Sequence, residues 1–158
     1  MQVPSPPDAT YLGLDISRTM VGLTVERLGR FGSRAQVRQS DGSPRIDSPT
    51  GVCDRFISNY VLDLLPDEEI RSVLLEAHRL VIPGGMLGLV SLTHGPTPAS
   101  WLVSTLWSGA HKVWPGLVGG CRPVELLRFV SPPQWTIKHR NIVTPYGVPS
   151  EIVVAIRT

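Results

Sequence analysis

Two aspartates, a cluster around one tyrosine and a few histidines are the side chains of this sequence best suited to chemistry. Asp15 closes the stretch D-A-T-Y-L-G-L-D-I-S, in which an apolar, β-rich run ends in a carboxylate. At a strand's carboxyl end such a group can accept hydrogen bonds from both hydroxyls of a ribose, a layout used by open α/β folds. Ser17 follows at a position suited to cap a helix, and an acid near a helix start is stabilising in its own right. The local sequence therefore allows either role for Asp15. Asp41 stands in S-D-G-S, which is turn chemistry by residue type. Ser58, Asn59 and Tyr60 end a second apolar run, and Asp63 just beyond them can orient a substrate or assist the helix start that follows. His94, His111 and His139 are candidate general bases toward a hydroxyl; His94, which directly follows an apolar run, suits the role best, and its alternative is a solvated loop residue. Cys53 and Cys121 lie far apart with no paired Cys or His at ligand spacing, so neither a metal site nor a disulfide framework is expected.

The elements that must position these groups follow from patterning. With 158 residues, 42% of them apolar, the chain is long enough for one domain with a core of its own. The 15 basic and 13 acidic residues leave a net charge of +2, and the basic ones are scattered, which argues against nucleic acid as a partner. No apolar run reaches the roughly 18 residues that span a bilayer, and the first residues lack the pattern of a signal peptide, so a cytoplasmic location is expected. Residues 11–16 read as a strand, R-T-M-V-G-L-T-V-E-R-L-G-R as a helix closed by Gly29 and Gly32, and 35–39 as a short strand. C-D-R-F-I-S-N-Y-V is a third strand candidate. Pro66 with Asp67, Glu68 and Glu69 then starts a helix whose apolar stripe is Ile70, Val73, Leu74, Ala77 and Leu80. I-P-G-G stops that helix, and M-L-G-L-V-S-L reads as a strand covered on both faces. Residues 93–133 break the rhythm, with three of the four tryptophans and possible short helices over 101–113 and 123–129. Two strands joined by T-P-Y-G-V-P-S finish the chain as an antiparallel pair.

Taken in order, Y-L-G-L-D-I-S, S-D-G-S, C-D-R-F-I-S-N-Y-V-L-D-L-L-P-D-E-E-I, the E-A-H-R-L-V-I-P-G-G-M-L join and the terminal hairpin resemble class I S-adenosylmethionine-dependent methyltransferases. The likeness is greatest to the branch that includes quinone-biosynthesis methyltransferases. It implies an α/β, Rossmann-like sheet, mainly parallel with a C-terminal antiparallel hairpin, with strand order 3-2-1-4-5-7-6. In front of Tyr11 the family places a first strand, a glycine-rich turn and a helix, whereas M-Q-V-P-S-P-P-D-A-T has no glycine and three prolines, which suit no central strand. The chain is accordingly expected to be a C-terminal portion that lacks strand 1 and the first helices. Such a gap leaves buried backbone groups unpaired at roughly 1–3 kcal/mol each, large against a net stability of about 5–15 kcal/mol. The expected layout is an irregular segment over 1–10 and a partial methyltransferase domain over 11–158, in which 93–133 is a substrate-side insert.

The resemblance also implies roles. Asp15 holds the cofactor's ribose, Ile16 and Met20 flank the adenine, and Asp41 with Gly42 meets its amino group and ring. Asn59 lies near the methionine part and Tyr60 near the transferred methyl. No catalytic residue is fixed, with Tyr60 and His94 as candidates; Arg122 can meet an anionic acceptor. The expected cofactor is S-adenosyl-L-methionine and the expected partner a small-molecule acceptor, quinone-like or aromatic, with a completing chain or a homo-oligomer as a further possibility. The alternatives are a non-catalytic remnant of such an enzyme and a nicotinamide-dependent Rossmann-type reductase.

Overall fold

A computed structural model of the chain describes residues 9–94 and 121–158. The helix expected over 101–113, with Trp101, Trp107 and His111, and Trp114 beyond it lie outside the described residues. The chain divides into two compact units, Met1–Ser43 and Pro44–Thr158.

The first unit is a β-α-β element. Strand β1 (Tyr11–Asp15) leads into helix α1 (Arg18–Leu28), and strand β2 (Ala35–Gln39) pairs parallel to β1 with Tyr11 opposite Ala35 and Asp15 opposite Gln39. The helix starts where expected because Ser17 is extended (φ −82°) and its Oγ accepts the Met20 N–H at 3.3 Å, satisfying a donor that the first turn leaves without a partner. The unit has little core. Gly13 is the one buried residue among its described positions, no residue of α1 is buried, and Leu12, Leu14, Ile16, Met20, Leu23 and Val25 are exposed.

The second unit carries strands β3 (Cys53–Asn59), β4 (Val81–Leu92), β5 (Trp135–Val143) and β6 (Ser150–Arg157) in the order β3-β4-β6-β5, with helix α2 (Asp67–Leu80) between β3 and β4. β3 and β4 are parallel, whereas β6 runs antiparallel to both neighbours, as the terminal hairpin predicts. The sheet is thus mixed, parallel at β3–β4 and antiparallel through the C-terminal hairpin, as expected of a partial Rossmann-like fold. α2 begins after Pro66 with three acids in its first turn and His78 and Arg79 in its last, matching the helix dipole at both ends. It buries Ile70, Leu74 and Ala77 in a cluster with Leu87 and Leu89 of β4 and Val153 and Ala155 of β6. The alternate residues of the same strands form the other sheet face, where a shallow apolar depression is lined by Ile57, Asn59, Met86, Gly88, Val90, Ile152 and Val154.

Two local outcomes differ from the sequence pattern. β4 starts at Val81 and runs through I-P-G-G, with Cys53 opposite Val81 but Arg55 already opposite Met86. The extra residues bulge because Gly84 takes φ +76° and Gly85 passes so close to β3 that a Cβ would stand 3.0 Å from the Asp54 carbonyl. The helix expected over 123–129 is reduced to a single turn, Leu126–Arg128. Its would-be first turn is extended instead: the Val124 N–H donates to the Leu92 carbonyl at 2.7 Å and the Leu126 N–H to Glu151 Oε2 at 2.8 Å.

Candidate cofactor and acceptor site

Parallel strands gather their carboxyl ends, and in the first unit this collects five of the expected cofactor residues on one β-α-β element. Asp15 is half-buried at the end of β1, and its Oδ1 accepts the Ser17 N–H at 2.7 Å. The acid therefore serves the helix start with one oxygen. The Ser40 N–H bonds the Asp15 carbonyl at 2.9 Å, which brings the S-D-G-S turn to the end of β1. Within the turn Asp41 Oδ1 accepts from Ser43 N at 2.8 Å and Gly42, at φ +88°, donates to Ser40 Oγ at 3.1 Å. This is an Asx turn, so Asp41 fulfils the structural role its residue type suggests. Ile16 and Met20, which follow Asp15 in the chain, stand 68% and 47% exposed.

In the second unit the carboxyl ends of β3 and β4 carry the other candidates. Asn59 is exposed on the open sheet face opposite Val90 and lines the depression there. Ser58, by alternation, points into the core at 8% exposure. Tyr60 is the one described non-glycine residue with positive φ, at 53°, a conformation that costs about 1–3 kcal/mol for a bulky side chain. Two bonds hold it there: its N–H donates to the Val90 carbonyl at 2.8 Å, and its phenol oxygen lies 3.0 Å from Oγ of Ser150, a buried residue at the start of β6. The ring stays 45% exposed. Ser150 was invisible to motif reasoning, being 90 residues away with no pattern around it. His94 is exposed just past β4, and His139 lies within β5, in the strand expected there.

Arg122 has a different duty from the anion contact expected of it. Its guanidinium donates to the Leu65 carbonyl at 2.8 Å and to Asp67 Oδ1 at 2.6 Å, which ties the segment after residue 120 to the start of α2. That ion pair, led by the Arg122 hydrogen bond, holds the Asp67 carboxyl below its ordinary value. Asp63 is the opposite case. It is fully buried, its carboxyl oxygens lack a hydrogen bond of ordinary geometry, and burial pushes its proton affinity up despite the nearby Cys121 thiol and Leu92 N–H. A carboxyl whose folded-state affinity for protons exceeds its unfolded one loses stabilisation as pH rises from the ordinary carboxylate value through the raised one. Asp63→Asn is therefore expected to raise stability at neutral pH, by about 1.4 kcal/mol for each unit of the shift, and to have little effect near pH 4. Urea denaturation at both pH values checks it; equal stability of the two proteins at neutral pH would remove Asp63 as an uncompensated acid.

Among the described residues no group of three or more His, Cys, Asp and Glu gathers at metal-binding distance, and no helix is long and apolar enough to cross a membrane.

Comparison with known proteins gives the same assignment. A protein family described as "Methyltransferase domain" matches residues 2–85, more than half of the chain. A curated relative, carboxy-S-adenosyl-L-methionine synthase of Chromohalobacter salexigens, is 36% identical over 87 residues, which cover 53% of this chain and 31% of that protein. The chain thus matches about a third of that relative's length. Among solved structures, a SAM-dependent methyltransferase from Methanosarcina mazei superposes with a TM-score of 0.69 at 13% identity, over 96% of this chain and 84% of the other. Geranyl diphosphate methyltransferase in complex with SAM gives 0.72 at 13% identity, over 95% and 69%. At such identities the superpositions speak for the fold, and the family match carries the assignment. The chain belongs to the class I S-adenosyl-L-methionine-dependent methyltransferases.

Proposed function

We propose that this chain takes part in methyl transfer from S-adenosyl-L-methionine to a small-molecule acceptor of aromatic or quinone-like character in a reducing cytoplasm. The observation that carries the reading is Asp15: a half-buried carboxylate at the end of a parallel strand, with one oxygen held by Ser17 and apolar Ile16 and Met20 exposed beside it. These groups fit an adenosine. Asp15 would hold the ribose hydroxyls, Ile16 and Met20 the purine faces, and Asp41 with Gly42 the purine edge. Asn59 would contact the amino acid portion. The cofactor, when bound, supplies a methyl group already activated on a sulfonium, so the protein's work is alignment and exclusion of water. Tyr60 suits that work because its backbone and phenol are both pinned while its ring remains exposed; His94 is the candidate base for an acceptor hydroxyl.

Among the described residues β3 has no strand on its outer edge, beside exposed Ile57, and we assign that edge to a parallel strand supplied by another polypeptide segment or chain, since an open strand edge is a template for pairing. The second reading, a non-catalytic remnant, is favoured by one fact: Asp15 and Asp41 each spend an oxygen on local turns.

Titration calorimetry with S-adenosyl-L-methionine on the native protein separates the two. Saturable one-to-one binding is expected, weakened by about 1–3 kcal/mol in Asp15→Ala through loss of charge-assisted bonds. No binding would favour the remnant, and an unchanged affinity in the variant would take Asp15 out of the site.

A further inference from the structure

Three guanidiniums gather around the start of α2 with one carboxylate between them. Arg122 takes Asp67 Oδ1 at 2.6 Å and the Leu65 carbonyl at 2.8 Å, while Arg128 reaches only the other oxygen of the same acid, Oδ2, at 3.5 Å. Arg71 stands one turn after Asp67 on the same helix face and forms no ion pair among the described residues. The neighbouring acids in the chain, Glu68, Glu69 and Glu125, are exposed and likewise pair with none of the three arginines. Arginine keeps its charge at any ordinary pH, so one carboxylate against three guanidiniums leaves two positive charges without partners.

An aromatic ring holds two of these cations together. Phe129 follows the turn Leu126–Arg128 and is half-buried against the core cluster; the Arg71 guanidinium lies over its ring at 5.2 Å from the centre and the Arg128 guanidinium at 5.8 Å. Each contact is attractive, because the face of the ring carries negative charge density. Stacking also fixes the plane of each guanidinium and leaves the N–H groups along its edge for other acceptors. Those edges are open to solvent, since Arg71 is exposed and the Arg128 side chain is 59% exposed. Like charges on an open surface repel and spread, whereas these two are anchored to one ring.

We propose that Arg71 and Arg128, seated on Phe129, form a binding site for a phosphate group, carried either by free inorganic phosphate or by a small organic ligand. A phosphate brings close to two negative charges at neutral pH and three strong acceptor oxygens. It therefore matches the two unpartnered guanidiniums in charge and can offer oxygens to both forks at once, which a single carboxylate cannot. Arg122 supports the site from outside it: by engaging Asp67 it offsets the one acid that would repel the ligand or draw Arg128 away. The site needs no cofactor and does not rest on the methyltransferase reading.

The isotope-labelled chain, in buffer free of phosphate and at constant ionic strength, is titrated with sodium phosphate and separately with phenyl phosphate while the arginine side-chain N–H resonances are followed. Saturable shifts at Arg71 and Arg128 are expected, with affinity lowered about tenfold in Arg71→Gln and in Arg128→Gln. Arg71→Lys should lose nearly as much, because it keeps the charge but not the fork. Arg30→Gln removes one charge from the same chain at a ring contact of its own, Phe31 at 4.8 Å, and should leave the affinity unchanged. Tighter binding of phenyl phosphate identifies an organic phosphate as the ligand, and equal affinities identify phosphate itself. Shifts that sodium chloride reproduces, or an equal loss of affinity in Arg30→Gln, would reduce the response to net charge and overturn the site. Both glutamine substitutions fall on exposed side chains, and the backbone amide spectrum of each variant verifies its fold before titration.

Discussion

Glu76→Gln is expected to lower the stability of the second unit by about 3 kcal/mol at neutral pH and by almost nothing near pH 2. Glu76 sits on α2 with a side chain 6% exposed, and it is gripped by Arg79 one turn later at 2.6 and 2.8 Å. The pair is more than an intrahelical bridge. Glu76 Oε1 accepts the Ile46 N–H at 2.8 Å, while Arg79 donates to the carbonyls of Ile46 and Ser48. Together they staple the connection after residue 44 to α2, beside the backbone bonds from the Gly51 N–H to the Arg79 carbonyl and from the Val52 N–H to the Leu80 carbonyl. The Arg79 hydrogen bond, followed by the Ile46 N–H, pulls the Glu76 carboxyl from 4.5 down to about 2. At about 1.4 kcal/mol per unit this gives the stated magnitude. Because the folded value is the depressed one, the stabilisation is present above about pH 4.5 and is lost as pH falls toward 2. Denaturant unfolding of both proteins over that range is the check, and a difference that stays constant with pH would show that the pair contributes shape alone.

None of this clamp could be read from the sequence, and the reason is instructive about the rest. Features that were legible are local: Pro66 followed by acids, the stripe of Ile70, Leu74 and Ala77, Ser17 before α1, and the paired runs that became β5 and β6. Each is decided by residues within a few positions of one another. The ordered series of such signals was enough to give the methyltransferase sheet. What remained hidden depends on long-range partners: Ser150 for Tyr60, Cys121 for Asp63, Ile46 for Glu76. Arg122 shows the hazard in the other direction, since a lone cation near a cleft reads as an anion receptor until Leu65 and Asp67 are found to occupy it. Asp15 was half legible. Its place at a strand end was in the pattern, yet whether one oxygen remains for a ligand depended on the Ser17 N–H.

Glu151 is the position where the same logic predicts the other large effect. It stands second in β6, fully buried, and its two oxygens serve different partners: Oε2 accepts the buried Leu126 N–H at 2.8 Å and Oε1 accepts Arg140 Nε at 2.7 Å. Truncation to alanine leaves the Leu126 N–H without a partner, at about 1–3 kcal/mol, and opens space against Leu126, itself fully buried in the core cluster. Arg140 is half exposed and can return to water, so its loss adds little. Glu151→Ala should therefore cost about 3 kcal/mol, whereas Glu151→Gln, which keeps an oxygen for Leu126 and gives up only the ionic partner, should cost about 1 kcal/mol. Chemical denaturation of the two variants separates the contributions, with exchange of the Leu126 amide as the local reading. Equal losses would mean that Arg140, and not the buried amide, is what Glu151 is there to hold. The distinction reaches the site, because Ser150 precedes Glu151 on the same strand and fixes the phenol of Tyr60. If the amide contact dominates, Glu151→Ala frees the start of β6 and with it the strained tyrosine, while Glu151→Gln leaves both in place.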